Sequence, residues 1–125
     1  IEDSQKVIVD LIKKHKKIPG IVLHSINNYE NLSKIIGNFK EILVLSIIKP
    51  GESGQTFNER SFELIERINK LENRNKINLC VDGGLKSNLI NKFLSDKIVS
   101  GSDVLNSLEP KRQIMKLQTL SRYEK

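Results

Sequence analysis

The chain has 125 residues, of which 38% are hydrophobic, enough to build one domain core, and its formal net charge is +6. No stretch approaches the roughly 20 successive apolar residues of a membrane-spanning helix, and no secretory signal pattern is present. We therefore expect a cytoplasmic protein with no membrane partner. The single cysteine, Cys80, excludes a disulfide framework. Because 16 lysines and 5 arginines are spread along the chain with only 6 aromatic residues among them, we expect a solvated basic surface and no nucleic-acid partner.

The first half of the sequence alternates helical and strand-like patterns. Apolar residues at helical spacing predict an amphipathic helix that ends at Pro19-Gly20; its apolar positions are Val7, Ile8, Leu11 and Ile12. The run IVLHS predicts a short buried strand, and a second amphipathic segment over about residues 29–36 ends at Gly37. The nearly continuous apolar run EILVLSII is typical of a strand buried on both faces of a parallel sheet.

The second half continues the alternation. A glycine-containing loop leads into a third helix, whose apolar positions are Phe62, Leu64, Ile65, Ile68 and Leu71. The run INLCV predicts a buried strand that closes at Asp82, a fourth helix is predicted over 87–94, and KIVSGS predicts a short strand. A last amphipathic helix starts near Asp103 or slightly later and runs towards Tyr123. Alternation without a hairpin signal predicts βα units around a parallel sheet, either a small open sheet or half of an eight-stranded barrel of about 250 residues.

Three strand ends have an unusual composition. They read Pro50-Gly51-Glu52-Ser53-Gly54-Gln55, Asp82-Gly83-Gly84 and Ser100-Gly101-Ser102. In α/β proteins the carboxyl ends of the strands carry the functional loops, and backbone N–H groups in glycine loops beside helix N-termini bind anions. The three loops together predict a phosphate-binding cradle.

These stretches resemble a known family. LVLSIIKPGESGQTF, INLCVDGGL and IVSGSDVL, in this order and spacing, are similar to ribulose-phosphate 3-epimerases. The resemblance covers essentially the whole chain, residues 1–125, as the C-terminal half of that family's TIM (β/α)₈ barrel, strands 5–8 with their helices. It implies the interconversion of D-ribulose 5-phosphate and D-xylulose 5-phosphate by metal-assisted proton transfer through an enediolate. A closely related hexulose phosphate is left open as the substrate.

The resemblance also implies roles for individual residues. The segment Gly51-Glu52-Ser53-Gly54 corresponds to the lid loop over the substrate. The phosphate would be held by Gly83, Gly84, Gly101 and Ser102. Asp82 corresponds both to an acid/base carboxylate and to a ligand of a divalent metal ion (Zn, Fe, Mn or Co). The remaining metal ligands and the second acid/base aspartate are expected upstream of Ile1 in a longer polypeptide, so we expect this chain alone to be inactive.

Some positions depart from the family pattern. Glu52 and Ser53 replace an aromatic residue and a glycine of the lid, and Ser46 stands where the family has a methionine over the active site. The alternative interpretation is a degenerate, non-catalytic barrel that keeps only phosphate binding or an assembly role. For His24 we expect no metal role, and for Cys80 a packed thiol. The expected partners are a small-molecule sugar phosphate and further copies of the chain, because a half barrel leaves two strand edges unpaired.

Overall fold

The computed structural model describes residues 2–122 of the chain, and side chains over residues 4–120. The helices are α1 (Glu2–Lys14), α2 (Leu32–Ile36), α3 (Arg60–Asn69), α4 (Ser102–Leu105) and α5 (Pro110–Arg122). The strands are β1 (Gly20–His24), β2 (Glu41–Leu45), β3 (Asn78–Asp82) and β4 (Lys97–Val99). Two 3₁₀ turns, at Arg74–Lys76 and Ile90–Lys92, flank β3 in the chain.

The four strands form one parallel sheet in chain order, β1-β2-β3-β4. The register pairs His24 with Leu45, Leu45 with Asp82, and Asp82 with Val99, so the strands end at nearly the same level. The predicted α/β class with a parallel sheet is thereby confirmed. Within residues 2–122, β1 and β4 each have one strand neighbour.

One face of this sheet carries the core. Alternate residues of a strand point to opposite faces, and on the covered face Ile42, Val44, Leu79 and Val81 are at most 2% exposed. Helix α3 supplies the facing apolar residues, which are Leu64, Ile65 and Ile68. Each such side chain taken out of water stabilises the fold by about 1.5–3 kcal/mol.

The opposite face, which we call the open face, is covered much less. It carries Val22, His24, Leu43, Leu45, Cys80, Asp82 and Val99. Val22 on β1 is 58% exposed and Val99 on β4 is 46% exposed. The prediction that β2 is buried on both faces is therefore wrong for the described residues, because helices pack against one face only. At the amino end of the open face, the Glu41 carboxylate accepts hydrogen bonds from Asn78 Nδ2 at 2.9 and 3.1 Å.

Helix α1 confirms the first predicted helix, although it ends at Lys14, and most of its apolar face is exposed. Val7, Ile8 and Leu11 are 67%, 57% and 55% exposed. Helix α2 is shorter than predicted because the Asn31 side chain accepts a hydrogen bond from Lys34 N at 3.1 Å, and this cap sets the first helical residue at Leu32.

The prediction of a fourth helix over residues 87–94 is wrong. The segment contains only the 3₁₀ turn Ile90–Lys92, in which Lys92 N–H donates to the Leu89 carbonyl at 2.9 Å. The reason is the spacing of the buried residues: Ile90 and Phe93 are three apart, which matches the 3₁₀ period and not a two-turn helix. Phe93 stacks on Phe57 with ring centroids 6.2 Å apart.

The last predicted helix is divided in two. Helix α4 ends at Leu105, and α5 begins at Pro110. A proline fixes φ and lacks a backbone N–H, so it suits the first turn of a helix and disrupts the interior of one. Tyr123, the predicted end, lies outside the described residues.

Candidate active site

Four side chains form a row across the carboxyl end of the open face. The register aligns His24, Leu45, Asp82 and Val99, one from each strand. Asp82 is half-buried, and its carboxylate has no hydrogen bond or ion pair to any other part of the described chain. Apart from its electrostatic interaction with the Cys80 thiol, no hydrogen bond or ion pair among the described side chains engages it, so this carboxylate is available to an incoming molecule.

His24 is engaged in local contacts instead. Its Nε2–H donates to the Ile47 carbonyl, since a carbonyl can only accept. Its backbone N–H donates to the Tyr29 hydroxyl at 2.8 Å. His24 therefore fastens the end of β1 to the loop that follows β2.

The described residues do not by themselves fit a metal site. Between residues 2 and 122 no group of three or more His, Cys, Asp or Glu side chains could hold an ion. Asp82 can offer one carboxylate, whereas the Nε2 atom of His24, the only histidine in the row, is bonded to Ile47. A bound ion would need ligands from outside the described residues.

The loop after β2 is closed by one side chain, Gln55. Lys49 N–H donates to Gln55 Oε1 at 2.9 Å, and Gln55 Nε2 donates to the carbonyls of Lys49 and, at 2.7 Å, Glu52. Gly51 and Gly54 have φ of 89° and 75°, which favours glycine at both. Glu52 and Ser53 are exposed, so their departures from the family pattern leave this framework intact. Sequence reasoning places Gln55 in this loop but gives it no role, although a glutamine beside a glycine loop is a usable signal.

The turn after β3 packs against both ends of that loop. Gly83 and Gly84 have φ of 120° and 67°. A Cβ at Gly83 would lie 2.6 Å from Cγ2 of Ile47, and a Cβ at Gly84 would lie 2.3 Å from the backbone nitrogen of Phe57. Both glycines are therefore required by close packing, in addition to any anion they bind.

Ser46, which directly follows β2 and stands where the family has a methionine, does not lie on the open face. Strand alternation puts Leu45 there, beside Asp82 in the register. Ser46 is 0% exposed, and its hydroxyl contacts the turn after β3.

The third loop begins α4. The Gly101 carbonyl accepts hydrogen bonds from Val104 and Leu105 N–H at 3.2 and 3.0 Å, and Ser102 is the first helical residue. A Cβ at Gly101 would meet nothing within 4 Å, in contrast to Gly83 and Gly84.

Parts of the three predicted loops meet at one cleft. Gly54, Gly84 and Ser102 line it, together with Gln55 and Lys86. Its volume of about 670 Å³ suits a small ligand. Sequence reasoning missed Lys86, which follows Gly84 by two positions in the sequence and brings an ammonium group to the cleft. The lining does not include the other predicted site residues, Gly51, Glu52, Ser53, Asp82, Gly83 and Gly101.

The charges around this cleft are mixed. Lys86 brings a positive charge, and Glu59 and Asp103 bring negative ones. The Asp103 carboxylate accepts a hydrogen bond from Gln113 Nε2 at 2.7 Å, which ties the start of α4 to α5.

Cys80 lies on the open face between Lys97 and Asp82. Burial, and secondly the Asp82 carboxylate, raise the pKa of its thiol. A raised pKa keeps the thiol protonated and lowers its reactivity. The thiol, expected to be packed, is half-buried in the structure.

No helix among the described residues is long and apolar enough to cross a membrane.

The comparisons with known proteins agree on one family. A model of the ribulose-phosphate 3 epimerase family matches residues 1–105. The chain is 30% identical over 117 residues to a ribulose-phosphate 3-epimerase of Mycoplasma genitalium, with 92% of the chain and 53% of that protein covered. It is 32% identical over 119 residues to a ribulose-phosphate 3-epimerase of Aquifex aeolicus, with coverage of 90% and 52%. The chain thus spans about half the length of these relatives, and it belongs to the ribulose-phosphate 3-epimerase family.

Proposed function

We propose that this chain supplies the phosphate-binding loops and one proton-transferring carboxylate of an enzyme that interconverts D-ribulose 5-phosphate and D-xylulose 5-phosphate. The observation that carries the proposal is the meeting of Gly54, Gly84 and Ser102 on one cleft at the carboxyl ends of the strands. Family membership supports the reaction class.

In this proposal the phosphate is held by backbone N–H groups of Gly83, Gly84 and Gly101 and by the Ser102 hydroxyl. The loop Gly51-Glu52-Ser53-Gly54 covers the substrate from the β2 side. Lys86 adds a positive charge at the same cleft. The open space beside Gly54 and Gly101, where a Cβ would meet nothing within 4 Å, leaves room for an anion to approach the backbone.

Asp82 is the proposed acid/base group. Epimerisation removes a proton from a carbon beside a ketone and returns one to the opposite side of the resulting planar intermediate, so two groups are needed. The row His24, Leu45, Asp82, Val99 contains one carboxylate. Asp82 would serve one side, and the group for the other side would come from outside the described residues.

The divalent metal ion (Zn, Fe, Mn or Co) is part of the proposal with Asp82 as a single ligand. Such an ion would stabilise negative charge on the substrate oxygens as a Lewis acid. Every other ligand would come from outside residues 2–122.

A second candidate function is a non-catalytic barrel that binds phosphate esters without turnover. The exposed Glu52 on the covering loop favours it, because a carboxylate repels a nearby phosphate. The hydrogen bonds of Gln55 favour the enzymatic candidate instead, because they involve only the backbone of Glu52, so its carboxylate does not disturb the closed loop.

The test is a chimera in which this chain replaces the matching segment of the Aquifex aeolicus relative. We expect the chimera to epimerise D-ribulose 5-phosphate, and Asp82→Asn to lower kcat by at least about 100-fold, the usual contribution of one acid/base group. The matched control is Asp96→Asn. The Asp96 carboxylate bonds Leu79 N–H at 2.8 Å and Arg74 at 3.0 Å, so its loss should lower the melting temperature and leave kcat unchanged.

Two results would contradict the enzyme proposal. A chimera that folds and binds phosphate without turnover would establish the non-catalytic candidate. Full activity of Asp82→Asn would show that Asp82 is not an acid/base group of the reaction.

A further inference from the structure

A fully buried serine, Ser46, joins the turn after β3 to the loop after β2. Its hydroxyl lies 2.8 Å from the Asp82 carbonyl and 2.7 Å from the Gly83 carbonyl, and it can donate its one hydrogen to either. Its backbone N–H also donates to the Asp82 carbonyl at 2.8 Å. For the Gly83 carbonyl, the Ser46 hydroxyl is the hydrogen-bond donor within the described chain.

The same residue holds the far end of the loop. Asn58 N–H donates to the Ser46 carbonyl at 2.7 Å, and Asn58 Nδ2 donates to Ser25 Oγ at 3.1 Å. Ser25 is 3% exposed and follows β1 directly. Buried polar groups that lose a partner are costly, so this chain of bonds fixes the ends of three strands relative to each other.

The packing around the turn leaves little freedom for a substitute arrangement. Gly83 lies against Ile47, the residue after Ser46, and Gly84 lies against the backbone of Thr56 and Phe57 at the end of the loop. Because the turn and the loop are in close contact at both glycines, we expect a displacement of the turn to displace the loop as well.

We infer that Ser46 is a positioning residue: it holds the Asp82-Gly83-Gly84 turn in place and couples that turn to the base of the loop after β2. Its value for ligand binding rests on the proposed function, in which the two glycines bind phosphate. It acts through the turn and does not itself touch the substrate.

The experiment compares three serine variants of the full chain by NMR, without ligand and with inorganic phosphate as the probe. Ser46→Ala removes the hydroxyl at the turn. Ser25→Ala removes only the bond to Asn58. Ser61→Ala is the matched control, because Ser61 is also 0% exposed and its hydroxyl has no hydrogen-bond partner among the residues that the structure describes.

Without ligand, we expect Ser46→Ala to lower the backbone order parameters of Gly83 and Gly84 and to speed amide exchange at Asn58. Ser25→Ala should affect Asn58 alone, and Ser61→Ala should affect neither site. With phosphate, Ser46→Ala should raise the Kd by about three- to tenfold, the effect of one hydrogen bond. If Ser46→Ala fails to fold, Ser46→Cys replaces the hydroxyl with a slightly larger thiol, a weaker donor, and should loosen the same two glycines.

Unchanged mobility of Gly83 and Gly84 in Ser46→Ala would overturn the inference. Equal loosening in Ser46→Ala and Ser61→Ala would also overturn it, because that result means general destabilisation. If the wild-type chain does not bind phosphate, the phosphate part of the proposed function fails, and the ligand-free mobility still decides the role of Ser46.

Discussion

The side chain of Gln55 bonds both the backbone N–H and the backbone carbonyl of Lys49, six residues earlier in the chain. Gln55 also bonds the Glu52 carbonyl, so three hydrogen bonds of one side chain, which we call the Gln55 clasp, close residues 49–55 into a ring. The loop is thus preformed, and any movement over a substrate would occur at its ends.

Removing this clasp should loosen the loop. We predict that Gln55→Ala speeds cleavage after Glu52 by a glutamate-specific protease at least about threefold, since each lost hydrogen bond costs about 0.5–1.5 kcal/mol. The control is Thr56→Ala, because the neighbouring Thr56 is exposed and should leave cleavage unchanged. Equal cleavage of the wild-type and Gln55→Ala chains would show that the clasp does not limit loop opening.

Replacing a glycine by alanine should reduce stability strongly at some positions of the three loops and hardly at all at others. Gly84→Ala should lower the free energy of unfolding by about 2–3 kcal/mol, because its Cβ would lie 2.3 Å from Phe57 N at a φ of 67°. Gly101→Ala should change it by no more than about 0.5 kcal/mol, since that site is open. Urea denaturation measures both. A Gly84→Ala variant as stable as the wild-type chain would mean that the backbone of the turn can shift to accommodate the added Cβ.

Phosphate titration of the same two variants adds a second comparison. Gly101→Ala should weaken phosphate binding despite its normal stability, because the added methyl group occupies the space left for the anion. Unchanged binding would remove Gly101 from the proposed cradle.

The Cys80 thiol should react slowly with alkylating agents. Its raised pKa lowers the thiolate fraction at a given pH, so its alkylation rate at pH 8 should be below that of a free cysteine. Asp82→Asn should increase the rate, because the Asp82 charge is the second cause of the shift. Since the folded state holds this proton more tightly than the unfolded state, the contribution of Cys80 to stability falls as the pH rises above its unfolded pKa. A rate equal to that of free cysteine would contradict the shift.

The full chain should self-associate through the open face and the sheet edges. Val22 and Val99 lie on the two edge strands and are largely exposed, and unpaired edges beside apolar side chains favour association. We predict that Val22→Lys with Val99→Lys lowers the mass measured by light scattering towards 14.3 kDa. Leu108→Lys, at a fully exposed position in the segment between α4 and α5, is the control and should not. A monomeric wild-type chain would refute this prediction.

The sequence predicted the sheet well because buried parallel strands are continuous apolar runs. Strands β1 and β3 match IVLHS and INLCV to within one residue at each end, and β2 covers the first five residues of EILVLSII. It also predicted which loops approach the cleft, because glycine pairs mark strand ends. The segment 87–94 could not be predicted, since three-residue spacing of buried residues over one turn looks like part of a helix.

The contacts of Ser46 could not be predicted either. The hydroxyl of Ser46 meets the carbonyl of Gly83, 37 residues later, and no local pattern encodes that distance. Likewise, Lys86 became a candidate only when the cleft brought it beside Gly54 and Ser102. Such pairings follow from strand register, which apolar periodicity does not specify.

The order of the strands in the sheet has a consequence for how the chain folds. Each strand pairs with the one that precedes it in the sequence, so the sheet can grow strand by strand during synthesis. The widest separation is between β2 and β3, where Glu41 pairs with Asn78 across 37 residues. Closing that segment costs the most chain entropy, and it contains the Gln55 ring and α3. One side of the cleft lining, which includes Gly54, Gln55 and Glu59, therefore lies in the segment whose ordering should limit the rate of folding.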